Sequence, residues 1–273
     1  MNLPPLMYIC FSACSDVGLV RTNNEDNLYC NGISSINQTF SHKFHIENTV
    51  RMPCIFAICD GMGGEAQGEL ASLTVVNVLN EYAEKIKSQS SSKHINEIVQ
   101  SFISDANNRL FKIMREKSLR MGTTLALVII SEGIVHAYNI GDSRIYKFKH
   151  GTLSRISEDH TITAQKIKMG LLDEEQARHD KSRHVLTRCI GIFDDEMILT
   201  PYIIPPFSVD EECRLLLCSD GLTDMLPDTK IENIMLRHQE TSYAVNALVE
   251  SALQNSGRDN ITCIIIDFKR DKL

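Results

Sequence analysis

Five acidic sites in this chain stand where a carboxylate is costly. The run CIFAIC, residues 54–59, is almost wholly apolar and ends at Asp60, with Gly61, Gly63 and Gly64 following. RLLLCSDG repeats the device at Asp220-Gly221, Asp259-Asn260 heads the apolar run ITCIII, Glu25-Asp26 heads another, and Asp142 separates two more. A charge at the end of a buried strand loses hydration unless something compensates it. A divalent cation does so, taking several carboxylate oxygens plus a backbone carbonyl that glycine leaves accessible. The ligand set is all oxygen, with no His or Cys at metal spacing, so it suits Mg²⁺ or Mn²⁺ rather than Zn²⁺. One Asp-Gly pair alone reads as a turn. Five sites, each abutting an apolar strand, point to a cation-binding centre.

Such a centre needs strands that end together. Apolar or alternating runs with β-branched or aromatic residues predict strands near 7–14, 26–31, 54–59, 123–130, 134–140, 144–149, 152–156, 197–203, 213–218 and 261–268. Glu132-Gly133, Gly141-Asp142 and His150-Gly151 read as hairpin turns, which makes much of the sheet antiparallel. Helical spacing of Leu70, Leu73, Val76, Leu79, Ala83 and Ile86 predicts a helix over 66–87, and Ile95, Ile98, Phe102, Ala106, Leu110 and Ile113 predict another over 94–117. A second pair is expected near 228–238 and 241–255. Runs of strands alternating with runs of helices give an α+β class with helix pairs covering the sheet faces. Residues 32–52 and 157–191 are polar and read as excursions from a single domain spanning 1–273.

With 273 residues, 43% hydrophobic and 23% charged, the chain can bury a large core. A formal charge of −7 without a basic run argues against a nucleic-acid partner. Nine scattered cysteines without a C-x-x-C pair read as reduced thiols of a cytoplasmic protein. The apolar N-terminus contains two prolines and lacks a basic region, so it reads as a first strand rather than a signal peptide. No apolar run has the ~20 residues of a membrane helix, so no membrane partner is expected.

The motifs D-x-G-x-x-R-T-N-N-E-D (16–26), DGMGG (60–64), MGTTL (121–125), GDSR (141–144), EDHT (158–161), LLLCSDGLTDML (215–226) and RDNIT (258–262) run in one order over nearly the whole chain. Together they resemble the metal-dependent Ser/Thr protein phosphatases, the type 2C or PPM family. The resemblance implies an αββα sandwich of two mainly antiparallel sheets flanked by helix pairs. It implies that Asp60 bridges two Mn²⁺ or Mg²⁺ ions, with the Gly61 carbonyl on one, while Asp220 and Asp259 complete the other. Glu25 and Asp26 hold metal-bound waters, Asp142 and Asp220 make a weaker third site, and Arg21 grips the substrate phosphate with its planar fork. Two ions about 3.5–4 Å apart lower the pKa of a bridging water and neutralise the phosphoryl oxygens during direct attack. The implied substrates are phosphorylated proteins, products of a Ser/Thr kinase, and the implied state is a monomer.

Met62 departs from members that carry histidine in this motif, and a thioether cannot protonate a leaving alkoxide. His160 is expected to be structural, Arg144 an ion-pair partner, and Thr123 and Thr124 the start of a strand. Segment 157–191 resembles the family's flap and is expected to be the most mobile part of the domain, bordering the site and tuning substrate choice. Two rival readings are a phosphatase of this fold dedicated to one signalling regulator and a non-catalytic module that signals by contact. The intact acid set argues against the second.

Overall fold

The structure, a computed structural model, describes residues 7–34, 43–63, 66–191 and 198–270. The first half of the described chain runs β1 (Met7–Asp16), β2 (Asp26–Cys30), β3 (Ile33–Ser34), β4 (Lys43–Arg51), β5 (Cys54–Met62), α1 (Ala66–Lys87), α2 (Ser92–Lys117), β6 (Gly122–Thr123), β7 (Leu125–Ser131) and β8 (Ile134–Ile140). The second half runs β9 (Arg144–Lys149), β10 (Thr152–Arg155), α3 (Ile162–Lys168), α4 (Glu174–Ala177), β11 (Tyr202–Ser208), β12 (Arg214–Cys218), α5 (Asp220–Thr223), α6 (Asp228–Arg237), α7 (Thr241–Gln254) and β13 (Ile261–Arg270).

The strands form two antiparallel sheets, ordered β10-β9-β12-β13-β1-β4 and β11-β8-β7-β5-β2-β3, with β6 beside β5. Period-two alternation gives each sheet two apolar faces. In β5, Cys54, Phe56 and Ile58 turn inward to meet Phe11, Leu215, Leu217, Ile264 and Ile266 of the opposite sheet. Ile55, Ala57 and Cys59 turn outward under α1 and α2, against Val75, Leu79, Phe102 and Leu110. On the other flank Leu216, Cys218, Cys263 and Ile265 pack beneath α6 and α7. The result is an αββα sandwich, as the resemblance implies, with Phe11 and Phe56 meeting edge-on across the middle at 4.9 Å between centroids.

Three local readings change and one pair of turns holds. The Gly141-Asp142 turn is no hairpin: β8 belongs to one sheet and β9 to the other, so the chain crosses between layers there. Glu132-Gly133 and His150-Gly151 are true two-residue hairpins, both residues having positive φ, as the twist of paired strands favours. Residues 43–51, read as an excursion, form β4, which pairs with β1 from Lys43 to Arg51 at the sheet edge. The strand expected at 197–203 lies at 202–208, an edge strand whose register shifts between Ile204 and Phe207, where Pro205 and Pro206 have no N–H to donate. Residue 197 itself falls outside the described residues.

Candidate metal centre

The acidic residues meet where the two sheets end together. Asp26 and Asp60 are direct cross-strand partners on β2 and β5, an arrangement that sets two carboxylates against each other. Asp220 opens α5 just beyond β12, Asp259 precedes β13, and Asp142 occupies the crossover between β8 and β9. Gly141 enters that crossover at φ +93°, a conformation L side chains rarely adopt, and a Cβ there would strike Thr124.

Asp60 is fixed through its backbone. Its N–H donates to Thr124 Oγ1 (3.0 Å) and its carbonyl accepts from Thr124 N (2.9 Å) and Thr123 Oγ1 (2.9 Å). Thr124 Oγ1 and Ser143 Oγ lie 2.6 Å apart, so one hydroxyl pair ties the Asp60 strand to the Asp142 crossover. Thr123 and Thr124 thus do more than begin a strand. Behind Gly61, the first turn of α1 comes so close that a Cβ on Gly61 would lie 2.0 Å from the Gly68 carbonyl, and one on Gly68 would lie 2.7 Å from the Glu25 carboxylate. The two glycines let the helix press Glu25 into the cleft. Gly64 of the DGMGG motif lies outside the described residues.

Asn260 orders the 17–25 loop. Its side chain accepts from Glu25 N (2.8 Å) and donates to the carbonyls of Val17 and Asn23 (both 2.9 Å). Ser219 donates to Asp26 Oδ2 at 2.7 Å, and its hydroxyl also accepts from Thr262 N. Arg21, exposed at the rim, donates to Asp259 Oδ2 at 2.7 Å.

Crowding raises these acids. Burial, then Arg21 acting in opposition, leaves Glu25 above the usual carboxylate range. Asp26 is pushed up to about 8, by burial first and by Asp220 and Asp259 after it, despite hydroxyl donors from Thr262 and Ser219. Asp60 is held well above its ordinary value by desolvation and then by Asp26, Asp220, Asp142 and Asp259. Asp142 is raised likewise, by desolvation and then by Asp220 and Asp159. Mutual repulsion of this kind is what a divalent cation relieves, and an all-oxygen set with one close-approach glycine carbonyl fits Mg²⁺ or Mn²⁺. The acids expected at the centre therefore stand close enough together to act on one another.

A histidine that sequence spacing does not reveal also stands beside the acids. Among the described residues, Asp142, His184 and Asp220 offer three ligand atoms all within 4.8 Å of one another. His184 comes from segment 157–191, about forty residues after Asp142 in the chain, so spacing alone carried no signal. That segment holds α3 and α4, is closed on itself by a bridge from Thr161 to Leu186, and is pinned to the body by one from Thr123 to Ile190. His160 is structural: nearly buried, its Nδ1 accepts from Gly141 N at 3.0 Å, and burial lowers its pKa to about 4. Arg144 forks onto Asp159, with its Nε 3.1 Å and its Nη2 2.7 Å from the carboxylate, and also bonds the Tyr146 hydroxyl. It is an ion-pair partner, as its sequence context suggested.

Comparison with known proteins agrees with this geometry. The family model for Protein phosphatase 2C matches residues 41–254. The chain is 29% identical over 255 residues to a serine/threonine phosphatase, stp, of Listeria welshimeri, covering 93% of each protein. It superposes on the serine/threonine phosphatase PstP/Ppp of Mycobacterium tuberculosis with a TM-score of 0.78 at 27% identity, covering 95% of this chain and 98% of that one. A structure of the PstP catalytic domain in complex with two manganese ions aligns with a TM-score of 0.76 at 27% identity, over 96% of this chain and 99% of that one. The family match spans most of the chain, and the chain belongs to the protein phosphatase 2C family.

Proposed function

We propose that this protein removes phosphate from phosphoserine and phosphothreonine in other proteins, as a single catalytic domain, with Asp60, Asp220, Asp259 and the Gly61 carbonyl holding two Mn²⁺ or Mg²⁺ ions. The observation that carries this reading is the ring of mutually repelling carboxylates at the sheet ends, with one exposed arginine at its rim. Bound there, the two ions supply an activated water and neutralise charge on the phosphoryl oxygens. Glu25 and Asp26 orient water from behind that pair, Asp26 through the carboxylate that Ser219 fixes. Arg21 is the phosphate clamp: its fork is parked on Asp259 and can turn to an oxyanion once Asp259 serves a cation. Asp142 and Asp220 serve a weaker third ion. Met62 has no proton to give and buried His160 is already committed to Gly141, so the leaving alkoxide takes its proton from water.

All these groups come from one chain, so a monomer suffices. No helix among the described residues is long and apolar enough to cross a membrane, and no disulfide joins the nine cysteines; both suit a cytoplasmic enzyme opposing a Ser/Thr kinase. The test is hydrolysis of p-nitrophenyl phosphate and a phosphothreonine peptide with Mn²⁺, with Mg²⁺ or in excess chelator. Turnover is expected only with metal, and full turnover in chelator overturns the reading. A panel of phosphopeptides separates broad Ser/Thr activity from dedication to one regulator.

A further inference from the structure

His184 stands between two carboxylates of α5 and its cap. Its Nδ1 lies 3.4 Å from Asp220 Oδ2, and its Nε2 lies 3.2 Å from Asp224 Oδ2. The first spacing is long for a hydrogen bond but close to the roughly 3 Å between neighbouring ligands of an octahedral ion with bonds of about 2.1 Å. The second sets a carboxylate behind the ring. A ligating histidine nearly always donates its other N–H to such a group, which fixes the tautomer and the ring orientation. Asp224 sits one turn beyond Asp220, its backbone N–H donating to the Asp220 carbonyl (2.8 Å), so the ligand and the group that orients His184 share one short helix.

The remaining donors are in place. Asp142 completes a trio whose ligand atoms lie within 4.8 Å, and Asp142, His184, Asp220 and Asp224 all line one cavity of about 740 Å³ under the flap, with open room for water. His184 is about half exposed, so its ring is not locked into the interior.

Resting on the phosphatase reading above, we propose that His184 is a nitrogen ligand of the third ion, carried by the flap and oriented by Asp224, which makes this site selective for Mn²⁺ over Mg²⁺. The two core positions draw on oxygen alone. Replacing one oxygen by imidazole favours the softer, later ion, because Mg²⁺ holds its waters and prefers oxygen. The third ion is thereby also the point at which the flap is fastened to the catalytic body.

The experiment titrates Mn²⁺, and separately Mg²⁺, into the full chain and its His184→Ala and Asp224→Asn variants by calorimetry. Electron spin-echo modulation of the Mn²⁺-loaded proteins detects nitrogen bonded to the ion. The parent is expected to bind a third Mn²⁺ that shows nitrogen coupling. His184→Ala should abolish the coupling and weaken the third Mn²⁺ at least about tenfold, and Asp224→Asn should weaken it about tenfold. The first two equivalents should stay unchanged, and the Mg²⁺ titration should respond less. A parent that binds only two Mn²⁺, a third Mn²⁺ without nitrogen coupling, or coupling that survives His184→Ala overturns this inference while leaving the phosphatase reading intact. A chain that binds fewer than two ions and does not hydrolyse p-nitrophenyl phosphate overturns the reading beneath it.

Discussion

Asp60→Asn should make the metal-free protein more stable while abolishing its turnover. In the β2–β5 pair Asp60 directly faces Asp26, and opposed Cβ atoms lie about 4.5–5.5 Å apart. Two full charges about 5 Å apart at an effective dielectric of about 20 repel by about 3 kcal/mol. Asp60 is partly open to solvent and Asp26, at about 8, is largely protonated near neutrality, so the gain on removing one charge falls to about 1–2 kcal/mol. That corresponds to roughly 2–6 °C in Tm for a domain of this size. In Mn²⁺ the order should reverse, since an ion at a hundred times its Kd stabilises the parent by about 2.7 kcal/mol and the variant lacks the proposed bridging carboxylate. The pH dependence has a definite sign. A carboxylate whose folded pKa is raised is easiest to accommodate below its unfolded value, and the fold loses that stability as pH rises through the folded value. The advantage of asparagine should therefore vanish near pH ~4, grow as pH rises, and be full only above the raised folded values. Thermal melts in chelator and in Mn²⁺, at acid and neutral pH, measure all of this. A variant that melts below the parent in chelator at neutral pH would refute the view that carboxylate repulsion burdens the empty site.

Three further outcomes are expected. Arg21→Ala should raise KM for a phosphopeptide with a smaller effect on kcat, and should alter stability by no more than about 1 kcal/mol, because its pair with Asp259 is exposed; an unchanged KM argues that the phosphate is held elsewhere. His160 is buried and neutral with its pKa lowered to about 4, so parent stability should fall as pH drops from about 6.5 towards 4, by at most about 3 kcal/mol. His160→Gln should flatten that dependence, and an identical slope in both proteins contradicts the assignment. Exchanging residues 157–191 for another member's flap, with His184 retained, should shift preference among phosphoproteins yet spare p-nitrophenyl phosphate hydrolysis, and equal loss on both would show that more of the flap than His184 belongs to the catalytic centre.

The parts legible in sequence were those where one residue type has one use. Asp60 and Asp220 stand out because an apolar strand ends abruptly at each, and the paired helices follow from the spacing of Val76, Leu79, Phe102 and Leu110. What stayed hidden depends on neighbours distant in the chain. β4, KFHIENTVR, mixes polar and apolar residues because it lies at a sheet edge, and β11 carries two prolines that only an edge strand tolerates. α3 and α4, of seven and four residues, are too short to show a helical period. The Gly141-Asp142 crossover looks like a hairpin because two flanking strands cannot reveal that they belong to different sheets. Thr123, Thr124 and Asn260 act through hydrogen bonds to backbone, a role open to residues of many contexts, and His184 matters only because the flap folds back over α5.

The arrangement of the strands bears on how the protein is made. β13 lies in the interior of its sheet, between β12 and β1, and the centre joins residues separated by 238 positions (Arg21 and Asp259), 235 (Glu25 and Asn260) and 193 (Asp26 and Ser219). During synthesis β1 emerges well before β13 and must wait for it, so the sheet that carries Asp259 stays split until β13 has left the ribosome. Contacts this distant form late and slowly. An incomplete chain holds Asp26 and Asp60 without Asp220, Asp259 or the Asn260 side chain that orders the arginine loop. Hydrolytic capacity therefore arrives in one step with closure of the sheet, and a nascent or truncated chain has none to release on the phosphoproteins around it.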